Sequence, residues 1–172
     1  MKQINDFTLK KIDEMSGREL FCTERLREET FVTEQKITLP ELDDQDLIAI
    51  QAYRLNDDQT NALATCRIFE EDGKWMLGRV AVSKAARGMH LGSKMVEAVQ
   101  EYLREKGVAA LYCHAQMRVE PFYAKLGYQE IGEPFEEAGI QHIMMKKGLE
   151  LIEFFFNCGH NLVNQKSVTF IS

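Results

Sequence analysis

The run LGSKMVEAVQEYLREKG, residues 91–107, restricts this chain to a small set of folds. Leu91, Met95, Val96, Val99 and Leu103 recur at helical spacing, and Lys94, Glu97, Glu101 and Arg104 fall between them, free to face water. Gly107 stands where a helix is commonly closed by a left-handed residue. On either side lie short apolar runs, 75–82 and 108–114, that read as strands. A helix joining two strands of one sheet is a crossover, so those two strands must lie parallel.

The remaining elements are of both kinds. Residues 2–10 read as one short strand. Ser16-Gly17-Arg18-Glu19 has capping-box spacing, so a helix starts there and runs through ELFCTERLREETFV. Leu20, Cys22, Thr23, Leu26, Thr30 and Phe31 are available for its inner face. An acidic loop with a proline follows, TEQKITLPELDDQD. Residues 47–55 and 62–69 flank the turn-rich NDDQTN and form a hairpin, and Glu71-Asp72-Gly73-Lys74 makes a second turn. After 108–114 come a short helix, EPFYAKLG, and two closing strands, YQEIGE and IQHIMMKK, separated by a PFEEAG loop. The expected class is a mixed α/β sheet, antiparallel at the start and partly parallel later.

Length and charge narrow the function. The 172 residues are 45% hydrophobic, enough for one globular core. The net charge of -6 disfavours nucleic acid as a partner, since phosphate contacts want clustered Lys and Arg. No apolar run approaches the ~20 residues of a membrane span, so no membrane partner is expected. The opening MKQINDFTLKK has no secretory pattern. Cys22, Cys66, Cys113 and Cys158 form no Cys-x-x-Cys pair and match no zinc spacing. Isolated thiols of this kind predict a reducing cytoplasm and no metal.

Chemistry gathers at the junction RVAVSKAARGMHLGSK, residues 79–94. A strand ends near Ser83 and the helix begins near Leu91. Free N–H groups and the positive dipole end of the helix, two glycines and the Arg87 guanidinium together suit a pyrophosphate. Two phosphate motifs fail by spacing. A P-loop needs four residues between its glycines and then Lys-Ser/Thr, whereas Gly88 and Gly92 are separated by three and Ser93-Lys94 is reversed. The dinucleotide fingerprint G-x-G-x-x-G is absent.

The segment Arg87-Gly88-Met89-His90-Leu91-Gly92 resembles the [Q/R]-x-x-G-x-[G/A] turn of the GNAT superfamily of acyl-CoA-dependent N-acyltransferases. QMRVEPFYAKLGY, residues 116–128, resembles the second motif of that family. TFVTEQ (30–35), ELDDQD (41–46), CHAQ (113–116) and GEPFEEAGIQHIMMKK (132–147) are similar to the ElaA-type branch. The resemblance covers residues 1–147 in order. It implies a GNAT-like fold with a splayed parallel pair, and transfer of an acetyl group from acetyl-CoA to a primary amine in a ternary complex. The acceptor would be a small amine or an exposed protein amino group. One position departs: His90 replaces the middle glycine of the turn. It keeps a backbone N–H and adds a possible side-chain donor, or it is a solvent-facing loop residue.

The roles that follow from the resemblance are specific. The backbone of Val80, Ala81 and Val82 pairs with the pantetheine amides, and a free N–H there stabilises the developing oxyanion. Residues Arg87 to Ser93 (Arg87, Gly88, Met89, His90, Leu91, Gly92, Ser93) hold the pyrophosphate. Tyr123 is the general acid for the departing thiolate, against a packing role beside Phe122 and Leu126. Gln116 offers its amide to pantetheine. Glu34 is the catalytic carboxylate, as base or as recognition group for a cationic acceptor; Asp43, Asp44 and His114 are the other base candidates. His142 is assigned to structure or to the lining of the acceptor site, with structure preferred. Cys113 and His114 are neighbours on a strand and point apart, which argues against a Cys–His dyad. A non-catalytic acyl-CoA sensor on the same fold is the competing reading. Residues 148–172 lie beyond the resemblance and are apolar; they are expected to dock, in a homodimer.

Overall fold

The computed structural model describes residues 1–150. The tail expectation falls mainly on 151–172, outside the described residues, as does Cys158. Eight strands form one sheet in the order β1-β2-β3-β4-β5-β6-β8-β7. They are β1 (Lys2–Ile4), β2 (Phe7–Lys11), β3 (Ile50–Leu55), β4 (Ala62–Glu71), β5 (Lys74–Val82), β6 (Ala110–Gln116), β7 (Gln129–Glu137) and β8 (Ile140–Gly148). Four helices accompany them: α1 (Gly17–Arg27), α2 (Gln45–Ile48), α3 (Leu91–Glu105) and α4 (Glu120–Lys125). Every neighbouring pair is antiparallel except β5 and β6, which α3 joins as a parallel crossover.

Helix α3 buries the residues its spacing marks. Leu91, Met95, Val96, Val99 and Leu103 pack with Ile68, Leu77, Leu111 and Cys113 on one face of the sheet. Gly107, at φ +73°, ends the helix: its N–H donates to Arg104 O at 2.9 Å, and Val108 N–H donates to Leu103 O at 3.0 Å. Helix α1 covers the other face, with Cys22, Leu26 and Phe31 against Ala62 and Ala81. Its capping box is formed in both directions, Glu19 N–H to Ser16 Oγ at 3.2 Å and Ser16 N–H to Glu19 Oε2 at 2.7 Å. Beyond Arg27 the coil widens to a π-helical stretch over Glu28–Glu34, which turns Thr30 and Phe31 inward.

Three boundaries differ from the sequence reading. Residues 2–10 are two strands, because Asn5 and Asp6 take φ values of +49° and +70° and reverse the chain in two residues. Residues 45–48 form a helical turn, so the strand expected from 47 begins at Ile50. The PFEEAG segment is mostly strand: β7 continues to Glu137, and only Ala138-Gly139, both left-handed, make the turn. Pro134 is tolerated because β7 is an edge strand.

The acidic loop is the larger surprise. Arg27 is fully buried on α1, and its guanidinium donates to Asp46 at 2.8 Å, to Glu41 at 2.7 Å and to Glu24 at 3.0 Å. Arg67 on β4 grips Asp43 through two bonds of 2.6 and 2.7 Å, and also reaches Asp46 at 2.8 Å. Gln51 adds a bond of 3.1 Å to Asp46. The acidic loop is thus pinned from beneath by two arginines. Replacing Arg27 by Met should cost about 3–5 kcal/mol, because Glu24 would lose its cation and Asp46 would keep Arg67 alone. Chemical denaturation of the variant and the parent measures this directly.

Candidate active site

Strands β5 and β6 pair only through Trp75–Leu111, Met76–Tyr112 and Leu77–Cys113. Beyond that point β5 follows β4 and β6 follows β8, so the two strands part. A bulge sharpens the parting. Gly78 opposes Arg67 and Ala81 opposes Thr65, which leaves an extra residue on β5, and Arg79 takes φ +54°. The gap opens into a cleft of about 580 Å³ lined by Leu77, Gly78 and Val80 from β5, His114 and Gln116 from β6, and Tyr123 from α4. Arg67, Asp43, Glu137 and His142 line its further reaches.

The expected coenzyme-facing strand resolves residue by residue. Val80 lines the cleft, while Ala81 is buried beneath α1. Ser83 N–H donates to Leu63 O on β4 at 2.9 Å. By strand alternation, Val82 turns its N–H and C=O to the opposite, open edge. The Arg87 Nε contact to Val82 O, 3.4 Å, lies on that edge.

The turn that follows keeps its donors unspent. A short helical turn over Lys84–Ala86 leads to extended Arg87, left-handed Gly88 (φ +85°) and left-handed His90 (φ +58°). Met89 N–H donates back to Ala86 O at 3.3 Å, and Lys94 N–H to His90 O at 3.1 Å. Among the described residues, the N–H groups of Gly88, His90, Leu91, Gly92 and Ser93 have no protein acceptor. His90 provides no side-chain cap to α3, and its left-handed backbone is one that glycine adopts without strain. Gly92 sits close to its neighbours: a Cβ there would meet Phe122 and Val82 at 3.5 Å.

The remaining candidates divide between two places. Glu34 lies at the turn, in a two-bonded pair with Arg87 at 2.9 and 2.8 Å. That pair holds the Glu34 carboxyl below its ordinary range. Asp43 is held by Arg67, and Asp44 is exposed. Gln116 donates to Gln35 Oε1 at 3.1 Å and accepts from Arg118 Nε at 2.8 Å. Tyr123 is almost wholly buried between Phe122 and Tyr128, which keeps its phenol well above the ordinary value. His142 is buried and donates from Nδ1 to Ile140 O at 2.8 Å. Cys113 is buried on the α3 side, which pushes its thiol up to about 12, while His114 faces the cleft. Glu137 and Arg67 are among the cleft residues that escape the sequence reading; only the strand register brings them here. Among the described residues, no group of three or more His, Cys, Asp or Glu could hold a metal ion, and no helix is long and apolar enough to cross a membrane.

An eight-stranded mixed sheet that opens beside a donor-rich helix start is the architecture of coenzyme A-dependent acyltransferases. The family model of the acetyltransferase (GNAT) domain matches residues 49–149, and the chain belongs to that family. Among its relatives is the protein ElaA of Escherichia coli, 32% identical over 141 residues, which are 78% of this chain and 90% of ElaA. The crystal structure of ElaA superimposes with a TM-score of 0.74 at 26% identity, covering 82% of this chain and 97% of that one. An acyl-CoA N-acyltransferase from Pseudomonas aeruginosa gives a TM-score of 0.76 at 30% identity, covering 83% and 98%. An aminoglycoside 6′-N-acetyltransferase crystallised with coenzyme A shares the fold at 14% identity and a TM-score of 0.62, covering 83% and 97%.

The space around Gly92 yields a sharp contrast. Gly92→Ala should be tolerated or stabilising by about 0.5–1 kcal/mol, since alanine favours a helix and its Cβ fits at ordinary contact distance. Gly92→Leu should drive Phe122 and Val82 apart and lower the melting temperature. Thermal unfolding of both variants decides it.

Proposed function

We propose that the protein is an N-acetyltransferase that moves an acetyl group from acetyl-CoA to a primary amine by direct attack in a ternary complex. The observation that carries this reading is the set of unpaired amides of Gly88, His90, Leu91, Gly92 and Ser93 in the turn that follows β5. Backbone donors at a helix start, with no protein acceptor, fit a diphosphate. The free edge of Val80–Val82 leads from that turn into the cleft and suits the amides of a pantetheine arm. Acetyl-CoA supplies the activated acyl group; the chain's own residues bind it, orient it and move protons.

In this reading Tyr123 gives a proton to the departing thiolate sulfur, a role supported by its position in the cleft lining. Burial keeps its hydroxyl protonated at neutral pH, so it donates rather than accepts. Gln116 serves the arm less directly, since both ends of its amide already have protein partners. Arg87 bears on the phosphates, and Glu34 holds its guanidinium through two bonds.

Isothermal titration with coenzyme A, followed by thiol release against a panel of amines, tests the proposal. Binding and amine-dependent release are expected; ATP binding without coenzyme A binding would defeat it. Tyr123→Phe should lower turnover by about 10²–10⁴-fold while sparing coenzyme A affinity. Unchanged turnover would return Tyr123 to a packing role. Glu34→Gln separates the two duties of that carboxylate. Release of Arg87 should tighten coenzyme A binding and steepen its salt dependence, with turnover kept. A loss of turnover at constant affinity would instead make Glu34 the catalytic carboxylate.

A further inference from the structure

His114 lines the cleft with the geometry of a proton acceptor. His114 is the first residue of β6 beyond the last β5–β6 pair, Leu77–Cys113, so it stands at the apex where the strands part. Its Nδ1 lies 3.0 Å from Glu137 Oε2. That carboxyl is held below its ordinary range, by the His114 bond foremost, so it is ionised and can only accept. The proton of a neutral His114 therefore sits on Nδ1, and Nε2 keeps its lone pair. Among the described residues, Nε2 has no hydrogen-bond partner. The ring is further fixed by the edge of Phe135, with centroids 4.9 Å apart. A carboxylate that fixes an imidazole's tautomer and supports its charged form is the arrangement of a histidine base.

Resting on the acetyltransferase reading, we infer that His114 accepts the proton of the incoming ammonium, and that Glu137 is its positioning residue. The other charged or titratable groups of the cleft are otherwise engaged. Asp43 is held by Arg67; His142, on β8, also has Nδ1 bonded, but to a carbonyl rather than a carboxylate, so its ring lacks the counter-charge that Glu137 gives His114, and it is buried. Arg79, from β5, bears on Glu137 as a cation and takes no proton.

The protons balance. His114 Nε2 takes one from the ammonium and later passes it to water. The neutral amine nitrogen forms a bond to the acyl carbon, and the carbon–sulfur bond breaks. Tyr123 gives a proton to the sulfur, and the second proton lost by the attacking nitrogen restores the phenol. The products are an amide, a thiol and one proton released.

The test is a pH profile of thiol release with a primary alkylamine and acetyl-CoA, on the full chain. His114→Ala should lower kcat by about 10²-fold or more, leave KM for acetyl-CoA unchanged, and be partly restored by added imidazole. Its deficit should shrink at high pH, where the amine deprotonates unaided. Glu137→Gln should lower kcat, though less than His114→Ala, and move the acidic limb of kcat/KM to lower pH, because the imidazolium loses its counter-charge. A histidine with only a structural role would move neither limb. Wild-type turnover with His114→Ala equally active, or an acidic limb abolished by His142→Asn instead, overturns the inference and leaves the acetyltransferase reading intact. Coenzyme A binding with no thiol release on any amine overturns both.

Discussion

Helix α3 forces β5 and β6 side by side, yet only three residues of each pair. That short parallel ladder is the hinge of the site. Up to Leu77 and Cys113 the sheet is continuous and closes the core over α3. Past them, each strand is claimed by its antiparallel neighbour, and no hydrogen bonds remain to hold the two together. Open strand edges are ordinarily a hazard to a protein. Here the edge is inside the molecule, flanked by α4 on one side and the acidic loop on the other, where it can be used by a substrate. The bulge at Arg79 contributes by twisting β5 away at the position where pairing stops.

The same segment links the cleft to a buried charge cluster. Arg79 contacts Glu41 at 3.1 Å and Asp43 at 3.3 Å, so the left-handed residue of the bulge is tied to the loop that Arg27 and Arg67 secure. Two of the three arginines are almost fully buried, and each has carboxylates within hydrogen-bond distance. Such clusters contribute less through net attraction than through the cost of breaking them. One member is out of balance. Burial, with Asp46 and Glu41 nearby, pushes the Glu24 carboxyl up to about 7 despite Arg27 beside it. A raised acid favours the folded state while protonated, so this group opposes folding increasingly as pH rises from the ordinary carboxylate range through 7.

Much of this was open to reading from the residues. Period and capping locate α3, Gly107 and the start of α1, because those signals are local and unambiguous. The turn from Arg87 to Ser93 was legible as a donor site for the same reason. Family resemblance added Tyr123 and the sense of the cleft. What stayed hidden depends on distance in sequence. Arg27 sits on a face expected to be apolar at neighbouring positions, and nothing adjacent marks it as buried. Glu137 lies 23 residues from His114, and only the β6-β8-β7 order brings them together. The Asn5-Asp6 reversal was missed because neither residue is the glycine that such turns favour, although both tolerate left-handed backbone.

Strand β7 carries a consequence for the molecule as a neighbour of its own kind. Among the described residues it is the last strand of the sheet, mostly exposed, an acidic rail that carries Glu130, Glu133 and Glu136 with Pro134 among them. At the opposite margin, β1 has only three residues. A second sheet seeking to zip onto the acidic rail would meet like charge and a missing donor, and at the other margin it would find almost nothing to grip. Strand addition is disfavoured at both described margins, and the acidic rail loses its guard only where carboxylates take up protons.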